Sequence, residues 1–144
     1  MRWSGQDVWL TMYMEAKVMH RSRLCDIFID CRDDTMEAGV QFWSQALGLT
    51  VHRPNNPASP YVGLEGGAGG LQMHLQRVHD TSRIHLDIET DDVEAEVQRL
   101  EVLGARRKAQ IETWWVMEDP CGHLFCVVPM HSPNFLAESH VWEA

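Results

Sequence analysis

Basic residues are scarce in this chain. Its 144 residues hold 12 Lys and Arg against 21 Asp and Glu, for a formal net charge of −9. Nucleic acid and anionic membrane surfaces are gripped by clustered Lys and Arg, so this balance excludes both as partners. Cysteine is sparse too. Cys25, Cys31, Cys121 and Cys126 form no CxxC pair and no paired metal knuckle. No segment joins a basic start to a continuous apolar run, so neither a secretory signal nor a membrane span is expected. A cytoplasmic setting with reduced thiols is the resulting default. The glycine run GGAGG, residues 66–70, is followed by no Lys-Ser/Thr and opens no helix, which makes it a turn and not a phosphate loop. HLFC and PCGH lack zinc-finger spacing, and nothing has the form of a nucleophile elbow.

What the chain does have is a repeat. LCDIFIDCRDDTMEAGVQFWSQALGLTV, from Leu24 to Val51, is echoed by RIHLDIETDDVEAEVQRLEVLGARR, from Arg83 to Arg107. Each copy is a strand-like apolar run, an acidic turn, an amphipathic helix pattern and a Leu-Gly stop. Asp26 precedes Asp33 by the same seven residues that separate His85 from Asp92. Two such copies in one chain predict a pseudo-symmetric domain with a cleft where its halves meet. With 44% hydrophobic and 23% charged residues, the chain is an ordinary globular domain that buries roughly 68–70% of its unfolded surface.

The pattern divides the chain into three parts. Residues 1–22 are an extension matching neither repeat. Residues 23–130 form the body, made of module 1 (24–78) and module 2 (83–129). In module 1, LCDIFIDC alternates as a strand with Asp26, Phe28 and Asp30 on one face and Ile27, Ile29 and Cys31 on the other. Carboxylates of RDDTMEAG sit at a helix start, where the macrodipole favours them. Gly48 ends that helix, and LTVHR, YVGLE and LQMHLQRV follow as strands. In module 2, IHLDIE, a helix opened by Asp91 and Asp92, then ARRKAQI, TWWVMED and HLFCVVP repeat the order. Each module therefore reads βαβββ. Residues 131–144 are a tail expected to pack on the body through Phe135 and Trp142.

The motifs FW-x-x-A-LG, H-L-D-I-x-T-D-D-V-x-A-E-V-x-R-L-x-x-L-G-A and E-D-P-x-G-H-x-F-C-V-V, in that order, resemble the vicinal oxygen chelate superfamily. That group contains glyoxalase I, extradiol dioxygenases, and fosfomycin- and bleomycin-resistance proteins, and this chain is most similar to its bacterial glyoxalase-like domains. The resemblance implies an α+β fold in which two pseudo-symmetric βαβββ modules form curled sheets around an open cavity. It also implies one divalent metal ion (Zn, Ni, Fe or Mn) where such an ion is kept. Its ligands would come from the first and last strands of each module: Asp26, His85, Cys126, and either His74 or Gln76. A homodimer, with residues 1–22 as an interface element, is a further implication.

Strand alternation points to the cavity from another direction. Asp26, Phe28 and Asp30, His85, Asp87 and Glu89, and Leu124, Cys126 and Val128 share the polar face. Ile27, Ile29, Leu86, Ile88, Phe125 and Val127 are expected to face the helices. Phe28, Gln76, His85, Trp115 and Cys126 are thus the expected ligand-binding wall, one of Trp114 and Trp115 having to face the cavity. Asp30, Asp87 and Glu89 form a candidate acid-base set, because clustered buried carboxylates raise one another's pKa. The same carboxylates can equally pair with Arg77 or Arg83. His85 reads as a ligand, a hydrogen-bonding group for a substrate, or a structural histidine. Cys126 reads as a metal ligand or a small core residue. Two functions stay open: a small-molecule-binding protein of unassigned activity, or a metal-dependent lyase, isomerase or oxygenase of the glyoxalase type.

Overall fold

A computed structural model describes residues 19–143. Most of the expected N-terminal extension, and with it the interface role assigned to it, lies outside the described residues. The chain runs β1 (His20–Arg32), α1 (Met36–Leu47), β2 (Thr50–His52), β3 (Tyr61–Glu65) and β4 (Gln72–Val78). The second module repeats the order with β5 (Arg83–Thr90), α2 (Val93–Val102), β6 (Arg106–Ile111), β7 (Trp114–Glu118) and β8 (Leu124–Pro129). A short α3 (Phe135–Glu138) and β9 (His140–Trp142) close the chain. The strands form one curled, unclosed sheet in the order β2-β3-β4-β1-β5-β8-β7-β6.

The two modules join at β1 and β5, which pair antiparallel. Each then pairs in parallel with the last strand of its own module, β1 with β4 and β5 with β8. This arrangement converts the sequence repeat into a pseudo-two-fold sheet. Each helix covers its own module. Val40 of α1 packs on Ile29, Cys31, Val62, Leu64 and Leu75, and Val97 of α2 packs on Met117 and Val127. The caps follow local chemistry. Asp92 accepts the Ala95 N–H at 3.0 Å to start α2, and Gly48 ends α1 at φ +65°, a conformation glycine adopts without strain.

Two expectations change. Leu86 does not face a helix: it is 43% exposed, because α1 and α2 cover the module cores and leave the β1–β5 seam open. The body begins earlier than residue 23. His20, Arg21 and Ser22 belong to β1 and pair with β9 of the tail. Below them the buried Glu96 carboxylate binds His20 Nε2 at 2.7 Å, accepts the Ser22 hydroxyl at 2.9 Å and takes two Arg99 N–H donors at 2.8 Å. The Trp142 indole donates to the same Ser22 oxygen at 2.7 Å, with the Arg99 guanidinium 3.9 Å over its ring. Phe135, 2% exposed, anchors the rest of the tail.

Candidate functional site

The concave face of the sheet is built by strand register. β1 sets Phe28 beside His74 of β4 and beside His85 of β5. The three rings stack, with centroids 5.2 Å apart for Phe28–His74 and 4.9 Å for Phe28–His85. The Phe28 ring keeps the two histidines apart. The ligand set implied by the family resemblance, Asp26, His74, His85 and Cys126, is therefore not gathered around one point. Asp26 pairs with His74 at 2.9 Å, and His85 and Cys126 meet Asp87, the register partner of Asp26 across β1 and β5.

The region around His85, Asp87 and Cys126 opens into a cleft of about 370 Å³. Its polar floor holds Asp30, His85, Asp87 and Cys126; Gln76 and Arg83 stand beside them, and Phe28, Tyr61 and Trp114 supply aromatic walls. His85 Nδ1 lies 2.9 Å from Asp30 Oδ2, which Arg83 Nε also reaches at 3.3 Å. A carboxylate only accepts, so in the neutral ring Nδ1 carries the proton and Nε2 keeps its lone pair. That lone pair faces Asp87 Oδ1 at 3.6 Å, a buried oxygen with no hydrogen-bond partner.

Burial drives the Asp87 carboxyl up to about 6, with nearby Asp26 adding to the rise while His85 opposes it. Burial and the neighbouring Asp87 likewise push the Cys126 thiol up to about 12. Tyr61 is raised by burial and by the same carboxylate. The floor is thus a negatively biased pocket in which an Asp titrates near neutrality.

Three expected residues sit elsewhere. Trp115 packs under α2 with Arg107 4.9 Å over its ring, and it is Trp114 that lines the cleft. The parity follows from register: Val116 pairs with Cys126 and Trp115 with core Val127. Glu89 is fully buried but does not line the cleft. Its Oε2 accepts the backbone N–H groups of His131 and Ser132 at 2.9 and 3.0 Å. Burial opposes its ionisation, yet those two donors outweigh it and hold the carboxyl below its ordinary value. Glu89 ties down the tail. Asp26 is 4% exposed and lies beside His74 and His131, outside the cleft.

The cleft residues that sequence reading did not assign to it are Tyr61, Val78, Arg83, Ile111, Trp114 and Val116, together with Phe125, which was expected on the helix face and reaches both the α2 core and the cleft. Arg83 carried a signal, since its pairing with Asp30 was one of the open readings, whereas Tyr61 is brought in only by the β3–β4 pairing.

Residues 26–128 match the glyoxalase-like domain family, and the chain belongs to it. A hypothetical protein from Bacillus halodurans has a similar structure at TM-score 0.55 and 13% identity, over 76% of this chain and 96% of that one. The 2,2',3-trihydroxybiphenyl 1,2-dioxygenase from Sphingomonas wittichii aligns at TM-score 0.54 and 17% identity, over 78% of this chain and 42% of its own. A glyoxalase/bleomycin resistance protein/dioxygenase superfamily member from Vibrio splendidus aligns at TM-score 0.47 and 20% identity, over 74% and 97%. No curated protein matches the chain by sequence. The fold is that of the vicinal oxygen chelate superfamily. Among the described residues no helix is long and apolar enough to cross a membrane.

The metal implied by the superfamily fits part of the site. His85, Asp87 and Cys126 offer nitrogen, oxygen and sulfur donors within 4.8 Å of one another, a set suited to zinc or a similar ion. Asp30 holds the far nitrogen of His85, the usual outer-shell support for an imidazole ligand. The unpartnered Asp87 oxygen completes the fit. Asp26 and His74 do not join this set: the Phe28 ring stands between His74 and His85, and the Asp26 carboxylate is paired with His74.

Proposed function

We propose that the cleft binds a small, partly flat, carbonyl-bearing molecule and that Asp87 exchanges a proton with it. The observation that carries this reading is the Asp87 carboxyl: one oxygen buried without a partner, at the cleft floor, with the group brought to about 6. A group near its midpoint at neutral pH serves as both acceptor and donor. Phe28, Tyr61 and Trp114 offer faces for a planar ligand. Arg83, half exposed at the rim, suits an oxygen-rich substituent. Asp30 keeps His85 protonated on Nδ1, so Nε2 accepts a hydrogen bond from the substrate or from protonated Asp87.

The test is proton exchange in D2O, followed by proton NMR on a panel of 2-oxoaldehydes, α-hydroxy ketones and acyl thioesters that bind the cleft. The expected result is loss of the α-proton signal with a midpoint near pH 6, slowed roughly 10²–10⁴-fold in Asp87→Asn. Binding without exchange above the Asp87→Asn background would overturn the proposal.

The donor set of His85, Asp87 and Cys126 favours a second reading, in which these residues hold a divalent ion. Such an ion supplies Lewis-acid polarisation of a substrate oxygen. Elemental analysis of protein purified without chelator tests it: a metal equivalent present in wild type and lost in both Asp87→Asn and Cys126→Ala supports this reading, and equal metal in all three removes it.

A further inference from the structure

A second group of donors adjoins the cleft floor behind Asp87, whose carbonyl oxygen accepts from the Cys25 thiol at 3.4 Å and whose register partner is Asp26. Cys25 Sγ, a carboxylate oxygen of Asp26 and a ring nitrogen of His131 all fall within 4.8 Å of one another. His131 Nε2 is 3.6 Å from Asp26 Oδ2 and 3.8 Å from Cys25 Sγ. Neither Cys25 nor His131 falls within the family match, which spans residues 26–128.

Each donor is aimed by a separate device. β1 and β5 slip register between Leu24 and Asp26, so Cys25 is the extra residue of a β-bulge. A bulge re-aims a side chain that simple alternation would send to the opposite face. It turns Cys25, 0% exposed, toward its neighbour Asp26. Asp26 is fixed through its other oxygen, Oδ1, by His74 Nδ1 at 2.9 Å. His131 is fixed through its backbone, whose N–H donates to the buried Glu89 at 2.9 Å. The outer face of His131 is 45% exposed, which leaves an entry path. Sulfur, imidazole nitrogen and carboxylate oxygen in one place, with supporting contacts on the carboxylate and the imidazole residue, are the donors that borderline transition metals select.

We infer that Cys25, Asp26 and His131 form a second site, for a transition-metal ion of the zinc or cobalt kind, that clasps the C-terminal tail to the bulge of β1. His131 follows β8 directly, and the chain beyond it returns to pair β9 with β1. An ion held there joins two segments that are distant in sequence, and binding to the native state alone raises stability.

The experiment is a Co²⁺ titration of the full chain, stripped of metal, in a Cys126→Ser background that removes the cleft thiol, so that no thiolate band can come from the cleft. The expected result is one equivalent of Co²⁺ with a near-ultraviolet thiolate-to-cobalt band. The band disappears when Cys25→Ser is added. His131→Ala, at a half-exposed side chain, weakens binding at least tenfold. His74→Ala keeps the band but weakens binding roughly 10–100-fold, as loss of an outer-shell partner does. Ion at about a hundredfold over Kd raises the melting temperature by roughly 5–10 °C, and His131→Ala abolishes that rise. No Co²⁺ uptake by Cys126→Ser, or a band that survives Cys25→Ser, overturns the inference. Neither result depends on whether the cleft itself binds metal or moves protons.

Discussion

Replacing Asp87 by Asn removes a charge that the fold holds in an unfavourable place. The side chain is 13% exposed, and its carboxyl titrates at about 6 against an ordinary 3.8. Each tenfold displacement of a proton equilibrium corresponds to about 1.4 kcal/mol, so ionised Asp87 costs the native state about 3 kcal/mol. The sign follows from proton counting. Between pH 3.8 and 6 the native protein keeps a proton that the unfolded chain has released, so stability falls as pH rises through that window. Above pH 6 the loss is complete, and below 3.8 both states carry the proton. Asp87→Asn is therefore expected to melt roughly 10 °C higher than wild type at pH 7.5. At pH 4 and below the two should agree to about 0.5 kcal/mol. Paired urea and thermal melts from pH 3.5 to 8, in chelator so that no metal contributes, measure this difference directly. The amide must still satisfy Cys126 and His85, which makes 3 kcal/mol an upper bound. A variant less stable than wild type at pH 7.5, or a difference flat across pH, would refute the burial argument. A more stable but inactive variant would show that function is maintained at the expense of stability.

Glu96→Ala should be destabilising by about 3–5 kcal/mol, because it leaves buried His20 and Ser22 and largely covered Arg99 without their shared partner. Burial opposes ionisation of Glu96, but Arg99, His20 and Ser22 outweigh it and hold the carboxyl below its ordinary value. Its contribution is therefore present above the unfolded pKa and lost as pH falls through the folded one, a sign opposite to that of Asp87. Acid unfolding of wild type and variant by circular dichroism should converge at low pH. The neighbouring tryptophans should separate binding from stability. Trp115→Ala, which strips a partly buried ring from the α2 core, should cost more in denaturant melts than Trp114→Ala, whereas Trp114→Ala should be the one that weakens cleft ligands by calorimetry.

The sequence by itself determined whatever short-range periodicity controls. Alternation in LCDIFIDC and IHLDIE marked two strands, Gly48 and Asp92 bounded helices through local backbone and capping chemistry, and the repeat from Leu24 to Arg107 implied two like modules meeting at a cleft. Much of the face assignment on β1 and β5 followed too, Cys25 and Leu86 excepted, because alternation survives wherever a strand is regular. Phe28, Asp30, His85, Asp87 and Cys126 were legible as cleft residues for that reason. Tertiary structure decided everything that depends on how strands align with one another. The β7–β8 register chose Trp114 over Trp115, and two apolar neighbours in a strand carry no local sign of which faces the core. A one-residue slip between β1 and β5 redirected Cys25, against the alternation its sequence displays. Phe28 came between His74 and His85 only when three strands from two modules were laid side by side. Glu89 turned from a candidate acid into an anchor because residues beyond the repeat fold back over it. Side-chain period is a property of one strand, while register and coverage are set by contacts between segments far apart in the chain, and only the folded molecule specifies those.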